Sequence, residues 1–152
     1  MAVSISVIKN EIRKISDLLY EDHEGFPVST EEAAVRWSTA FNAYASSVVP
    51  SSTTSSLAKS ACESVLLSQL SATNPSALEV GFTAYVNQLA LGMQPTFTAV
   101  APIGLSLASA FAVGIAGGSA ESVATLMSGL IDVWFRTGTA TNNSSGVTVP
   151  WS

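Results

Sequence analysis

Four consecutive residues, Glu21-Asp22-His23-Glu24, all carry metal-binding side chains, and His23 and Cys62 are the only histidine and the only cysteine in 152 residues. Neighbouring residues of a loop point in different directions, whereas metal sites draw on ligands spaced so that the chain wraps the ion. The run therefore reads as a solvated charged loop. It also offers a carboxylate pair for proton transfer, but no further polar group is arranged around it. A nucleophilic Cys62 needs a base nearby, and His23 is distant in sequence, so Cys62 reads as a small buried residue on a helix. It forms no disulfide within the chain and implies no oxidising compartment. Gly114-Ile115-Ala116-Gly117-Gly118 lacks the Lys-Ser/Thr and the preceding strand that a phosphate loop requires. Asn142 and Asn143 each open an Asn-x-Ser sequon, but turn formation is the better reading without a secretory leader. None is expected, because the apolar start Val3 to Ile8 is too short and has no basic segment before it. No catalytic, cofactor-binding or metal residue is assigned, no cofactor and no small-molecule substrate are expected, and the chain does not read as an enzyme.

The elements that would position these residues are mostly helical. Ile5, Ile8, Ile12, Ile15 and Leu19 alternate spacings of three and four, which makes one apolar stripe of an amphipathic helix. Ser29 and Glu32 form a capping box before a helix carrying Trp37, Phe41, Tyr44 and Val48, which Pro50 ends. The hydroxyl-rich run Ser51 to Ser56 reads as a linker or cap region. A third helix spans about Leu57 to Leu70 through Ala61, Val65 and Leu66. Asn74-Pro75 has the chemistry of an N-cap and first helical position, leading into a stripe of Leu78, Phe82, Tyr85, Leu89 and Met93. Phe97 to Gly118 has poor periodicity and reads as extended, then a short helix. Ser119 caps a last helix with Val123, Met127, Leu130, Ile131 and Trp134 inward, and Gly138 stops it in a position suited to positive φ. Thr139-Ala140-Thr141 and Val147-Thr148-Val149 flank a turn and predict a hairpin. The fold class is mainly α: a compact domain of four to five helices over residues 1–138, with an irregular Pro/Gly-rich segment. A short C-terminal β-hairpin or extended contact tail, residues 139–152, is expected to be dispensable for folding.

Charge is distributed unevenly. Eleven of the 17 charged residues fall in the first 36 positions, none lies between Val80 and Ala120, and none follows Arg136. Charged residues make up 11% of the chain, against about 25% in an ordinary soluble domain. A net charge of −5 with six basic residues leaves no stripe to neutralise phosphates, so nucleic acid is not an expected partner. The uncharged part is built from Ala, Ser, Thr, Gly and Val, which suits a surface that is covered by neighbouring subunits or by lipid. Residues 100–118 are about long enough to cross a bilayer core and carry small residues four apart. Pro102, the glycines and the lack of flanking Lys or Arg argue against insertion. A membrane-anchored or membrane-active protein using this segment is the alternative.

The C-terminal stretch from Ile131-Asp132-Val133-Trp134-Phe135-Arg136-Thr137-Gly138 through Asn142-Asn143-Ser144-Ser145-Gly146-Val147-Thr148 to Pro150-Trp151-Ser152 resembles the end of small virion structural proteins of tailed bacteriophages. Tyr44-Ala45-Ser46-Ser47-Val48-Val49-Pro50 resembles them as well. The resemblance implies a non-enzymatic component of capsid, neck or tail, made in the host cytoplasm and built into the virion. Its partners would be copies of itself and other virion proteins. It carries over no catalytic residues. Phe97, Phe111, Trp134, Val147, Val149 and Trp151 are the expected subunit contacts, because aromatic residues are favoured at interfaces.

Overall fold

The computed structural model describes residues 2–23 and 25–152. The mainly helical class holds, with six helices among the described residues: α1 (Ile5–Ser16), α2 (Thr30–Ala45), α3 (Ser55–Ser71), α4 (Ala77–Leu91), α5 (Ala108–Ile115) and α6 (Ala120–Phe135). Three short strands, β1 (Phe97–Val100), β2 (Thr139–Asn142) and β3 (Thr148–Pro150), form one antiparallel sheet in the order β1-β2-β3.

Phe41 of α2 lies at the centre of the core. It stacks on Phe82 of α4 at 4.3 Å between ring centroids, meets Tyr85 edge-on at 4.9 Å and faces Phe135 of α6 at 6.3 Å. Phe135 in turn contacts Tyr44 at 5.2 Å and Trp151 at 5.3 Å. Offset and edge-to-face ring pairs of this kind add to what burial alone contributes. Two phenols in this cluster find polar partners: Tyr44 donates to Asp132 Oδ1 at 2.7 Å and Tyr85 to Asn42 Oδ1 at 2.8 Å. Burial, first of all, holds both hydroxyls well above the usual phenol range.

The α1 stripe buries Ile8, Ile12 and Ile15, but the helix ends at Ser16, so Leu19 of the same stripe is left exposed. At the start of α2 the Ser29 hydroxyl accepts from the Glu32 N–H at 3.1 Å, while the Glu32 carboxylate reaches back to the Val28 N–H at 2.9 Å. The hydroxyl run before α3 is more than a linker. Ser52 Oγ and Thr54 Oγ1 donate to the carbonyls of Leu89 and Gln88, each at 2.6 Å, and Thr53 Oγ1 donates to Gly92 O at 3.2 Å. These hydroxyls add short bonds to carbonyls in the last turn of α4, where Gln88 O and Leu89 O otherwise share the Gly92 N–H at 3.4 and 3.2 Å. The close approach explains Gly92, where a Cβ would lie 2.2 Å from Ser52 Oγ.

Three expectations are corrected. Asn74-Pro75 does not open α4: Asn74 Oδ1 accepts from the Ser76 N–H at 3.0 Å, an Asx turn, and the helix starts at Ala77. Gly138 ends α6, but not through a positive φ. It is glycine because a Cβ there would lie 2.6 Å from the Trp151 ring and 3.0 Å from Pro102 Cδ. The segment 139–152 is not an appendage: β2 is the middle strand, Ala140 is fully buried, and Trp151 is 1% exposed within the chain's own core. A hairpin is marginal alone, and here β1 and the core complete it. Asn142 closes the turn by accepting from the Ser144 and Ser145 N–H groups, with Gly146 at φ +72°.

Residues 100–118 do not form one helix. Strand β1 ends at Val100, residues 101–107 are irregular, and α5 is eight residues long. Among the described residues, no helix is long and apolar enough to cross a membrane.

Candidate functional site

The outer face of α6 and the irregular strap 103–106 enclose an open groove of about 940 Å³. The strap has Ile103 and Leu105 facing the groove, and α6 contributes Leu126, Leu130 and Val133. Its course is set at both ends. Pro102 packs against the Gly138 backbone side of the core, and Glu79 of α4 accepts the Leu107 N–H at 2.7 Å, which fixes the start of α5. Leu107 itself is fully buried, while Ile103 at the groove's rim is 83% exposed.

Helix α6 is apolar on its inner side and, between its two ends, uncharged on its outer one. Its inner side buries Ala124, Met127, Ile131 and Phe135. Its outer side, which in an ordinary surface helix is charged, presents Ser122, Thr125, Leu126, Gly129 and Val133 to the groove. Val133 is 70% exposed. A second apolar hollow of about 460 Å³ lies across α6, between Pro75, Phe111, Gly114, Ile115 and Val123.

Charge is confined to the two ends of α6. At its start, Glu121 pairs with Lys9 and, at 3.0 Å, with Arg13, which ties α1 to α6. The hydrogen bond from Lys9, with Arg13 nearby, holds the Glu121 carboxyl below the usual carboxylate range. At its end, Arg136 Nε donates to Asp132 Oδ2 at 3.0 Å, and the other Asp132 oxygen takes the Tyr44 phenol. Asp132 thus anchors the helix to the core instead of charging the groove.

Of the six expected contact residues, only Val147 is largely exposed, at 57%. Phe97, Phe111 and Val149 are half-buried against the core, and Trp134 and Trp151 belong to it. Trp134 also borders the groove, and its indole N–H has no hydrogen-bond partner. Ile103 and Val133, the most exposed apolar side chains of the groove, were not singled out from sequence. The absence of charge between Val80 and Ala120 covers Ile103, and the same polar deficit on α6 covers Val133, so the signal was there.

The other chemically suggestive residues do not converge. Cys62 is fully buried, and burial, with Glu63 adding to it, pushes its thiol up to about 12. A thiol held protonated is no nucleophile. The His23 ring lies edge-on to Phe26 at 5.9 Å, and neither of its nitrogens has a hydrogen-bond partner. Glu24 lies outside the described residues. Among those described, no group of three or more His, Cys, Asp or Glu side chains is placed to hold a metal ion.

Fold and site together define a mainly helical domain with a small antiparallel sheet and an open, nearly charge-free groove. The chain matches no protein-family model, no curated protein and no solved structure.

Proposed function

We propose that this chain is a non-enzymatic structural protein of a tailed-bacteriophage particle, joining the capsid, neck or tail through repeated subunit contacts. The observation that carries the assembly part is the uncharged outer side of α6 with the strap beside it, where Val133 and Ile103 stand 70% and 83% exposed. Apolar surface of this kind, left open in a monomer, marks a place where another macromolecule sits. The bacteriophage part rests on the resemblance of the C-terminal stretch Ile131 to Ser152 and of Tyr44 to Pro50. Protonated Cys62 and the scattered titratable groups give chemistry no foothold, which favours a structural role over catalysis.

Mass spectrometry of purified particles, produced from the genome that carries this gene, tests the reading. Peptides of this chain recovered at a stoichiometry of several copies per particle are the expected result. Their absence from intact particles, with the protein present in the lysate, would overturn it.

A further inference from the structure

We infer that residues 103–118, the strap together with α5, form a hinged flap, closed in this structure and latched by Glu79 of α4. Such a device is independent of what the protein assembles with. Little of the segment is buried, and little ties it down.

Within it, only Leu107 and Ala110 are fully buried, while Leu105 and Phe111 are partly buried against the core. Ile103 and Ile115 are 83% and 89% exposed. Among the labelled helices and strands, α5 packs on α6 alone. It also closes its own backbone bonds. The Gly118 N–H donates to Val113 O at 2.9 Å, and Gly117, at φ +85°, makes the left-handed cap that this bond requires. Lifting α5 off α6 therefore breaks none of its helical bonds. Among the described residues, one hydrogen bond joins 103–118 to the rest of the chain, from the Leu107 N–H to Glu79 Oε1 at 2.7 Å. A buried N–H left without a partner costs more than its bond contributes, so the latch and the seating of Leu107 act together.

The two ends of the flap are fixed. Pro102 is buried against Gly138, and the Ser119 hydroxyl accepts the Ser122 N–H at the start of α6. Just inside the first of these, Gly104 stands at φ +77° with no atom within 4 Å of the position its Cβ would occupy. Nothing packs against the backbone there, and glycine turns through both signs of φ, which makes Gly104 the pivot. Residues 103–106 wall the groove, and Phe111, Gly114 and Ile115 wall the hollow across α6. One opening movement therefore reshapes both and withdraws Leu107 and Ala110 from the core.

Hydrogen exchange followed by mass spectrometry, on the whole wild-type chain over a low-urea series, reads the opening directly. A segment that opens locally exchanges faster than the core and responds little to urea, because little surface is exposed. Peptides covering 107–118 should share one weak urea dependence and exchange about a hundredfold faster than those of α4 and α6. Glu79→Ala should speed them about tenfold further, beyond any change shared with α2, whereas Glu79→Gln, which keeps a carbonyl acceptor, should stay close to wild type. Exchange of 107–118 at the rate and urea dependence of α6 in the wild type would overturn the flap, with no variant needed. A Glu79→Ala protein whose exchange rises equally in every helix, or does not rise in 107–118, would overturn Glu79 as the latch.

Discussion

Replacing Trp151 with alanine separates a core residue from a contact residue in one measurement. Trp151 is 1% exposed. Its ring packs on Phe135 at 5.3 Å, its indole N–H donates to Thr139 O at 3.2 Å, and its backbone N–H donates to Gly138 O at 2.8 Å. An aromatic side chain removes about 150–250 Å² from water, which at about 25 cal/mol per Å² is worth roughly 4–6 kcal/mol. Alanine retains a small part of that, and partial collapse of the cavity recovers some more, so a loss of about 3–5 kcal/mol is expected. Set against a typical total of about 5–15 kcal/mol, this is a large fraction, equivalent to a fall in Tm of roughly 6–20 °C for a domain of this size. Urea and thermal unfolding followed by circular dichroism measure both. Gly138→Ala provides the internal control. Its Cβ meets the Trp151 ring at 2.6 Å, so it should cost about 1–3 kcal/mol as overpacking, and much of that cost should vanish in the Trp151→Ala background. A Trp151→Ala protein melting within about 2 °C of wild type, far below the expected shift, would refute the reasoning and restore Trp151 as a residue waiting for a neighbour.

Gly81→Ala should destabilise by about 1–3 kcal/mol in urea unfolding, despite alanine's better helix propensity, because its Cβ would lie 2.5 Å from Leu66 Cγ where α3 and α4 meet. Cys62 should resist a thiol reagent at pH 8 by a factor on the order of a thousand relative to the unfolded chain, since only the thiolate reacts; labelling as fast in native protein as in urea would contradict its burial. Glu121→Gln should lower stability at neutral pH and make no difference in strong acid. The folded carboxyl titrates below its unfolded value, so its contribution is complete above the unfolded pKa and is lost as pH falls through the folded one. Urea midpoints of the two proteins, compared from pH 7 down to pH 2, should therefore converge on the acid side.

The apolar stripes were legible because their period is local. Leu78, Phe82, Tyr85, Leu89 and Met93 are all buried, and Ser119, read as a cap, does accept the Ser122 N–H at 3.1 Å. The sheet was half legible. Residues 139–142 and 148–150 announce a hairpin through Asn142 and Gly146, but nothing local says that Phe97–Val100 will pair with β2, since that pairing joins residues about 40 positions apart. The role of Trp151 was missed for the same reason. Its ring meets Phe135 and the Gly138 backbone at the end of α6, which only the return of β3 brings beside it. The hydroxyl run reads as linker or cap region, and Ser52, Thr53 and Thr54 do cap a helix, but nothing local says that it is the end of α4. The outer side of α6 could have been read from its missing charges, but the inward stripe on the same helix drew the attention.

The hydroxyl collar on the end of α4 has a bearing on the order in which structure is acquired. It joins elements adjacent in sequence: the residues just before α3 close on the last turn of α4, around a tight helical hairpin. Contacts beside the connection 72–76, such as Gly81 against Leu66, form with little loop entropy to overcome. The collar then closes the far end of a hairpin already zipped, whereas β1 meets β2 across a similar separation with no such intermediate steps. The α3–α4 hairpin is therefore expected in the transition state, with the sheet assembling later. Ser52→Ala should slow refolding with little change in the unfolding rate, and Trp151→Ala should do the reverse. A domain arranged this way gains its resistance to unfolding from the part that is assembled last.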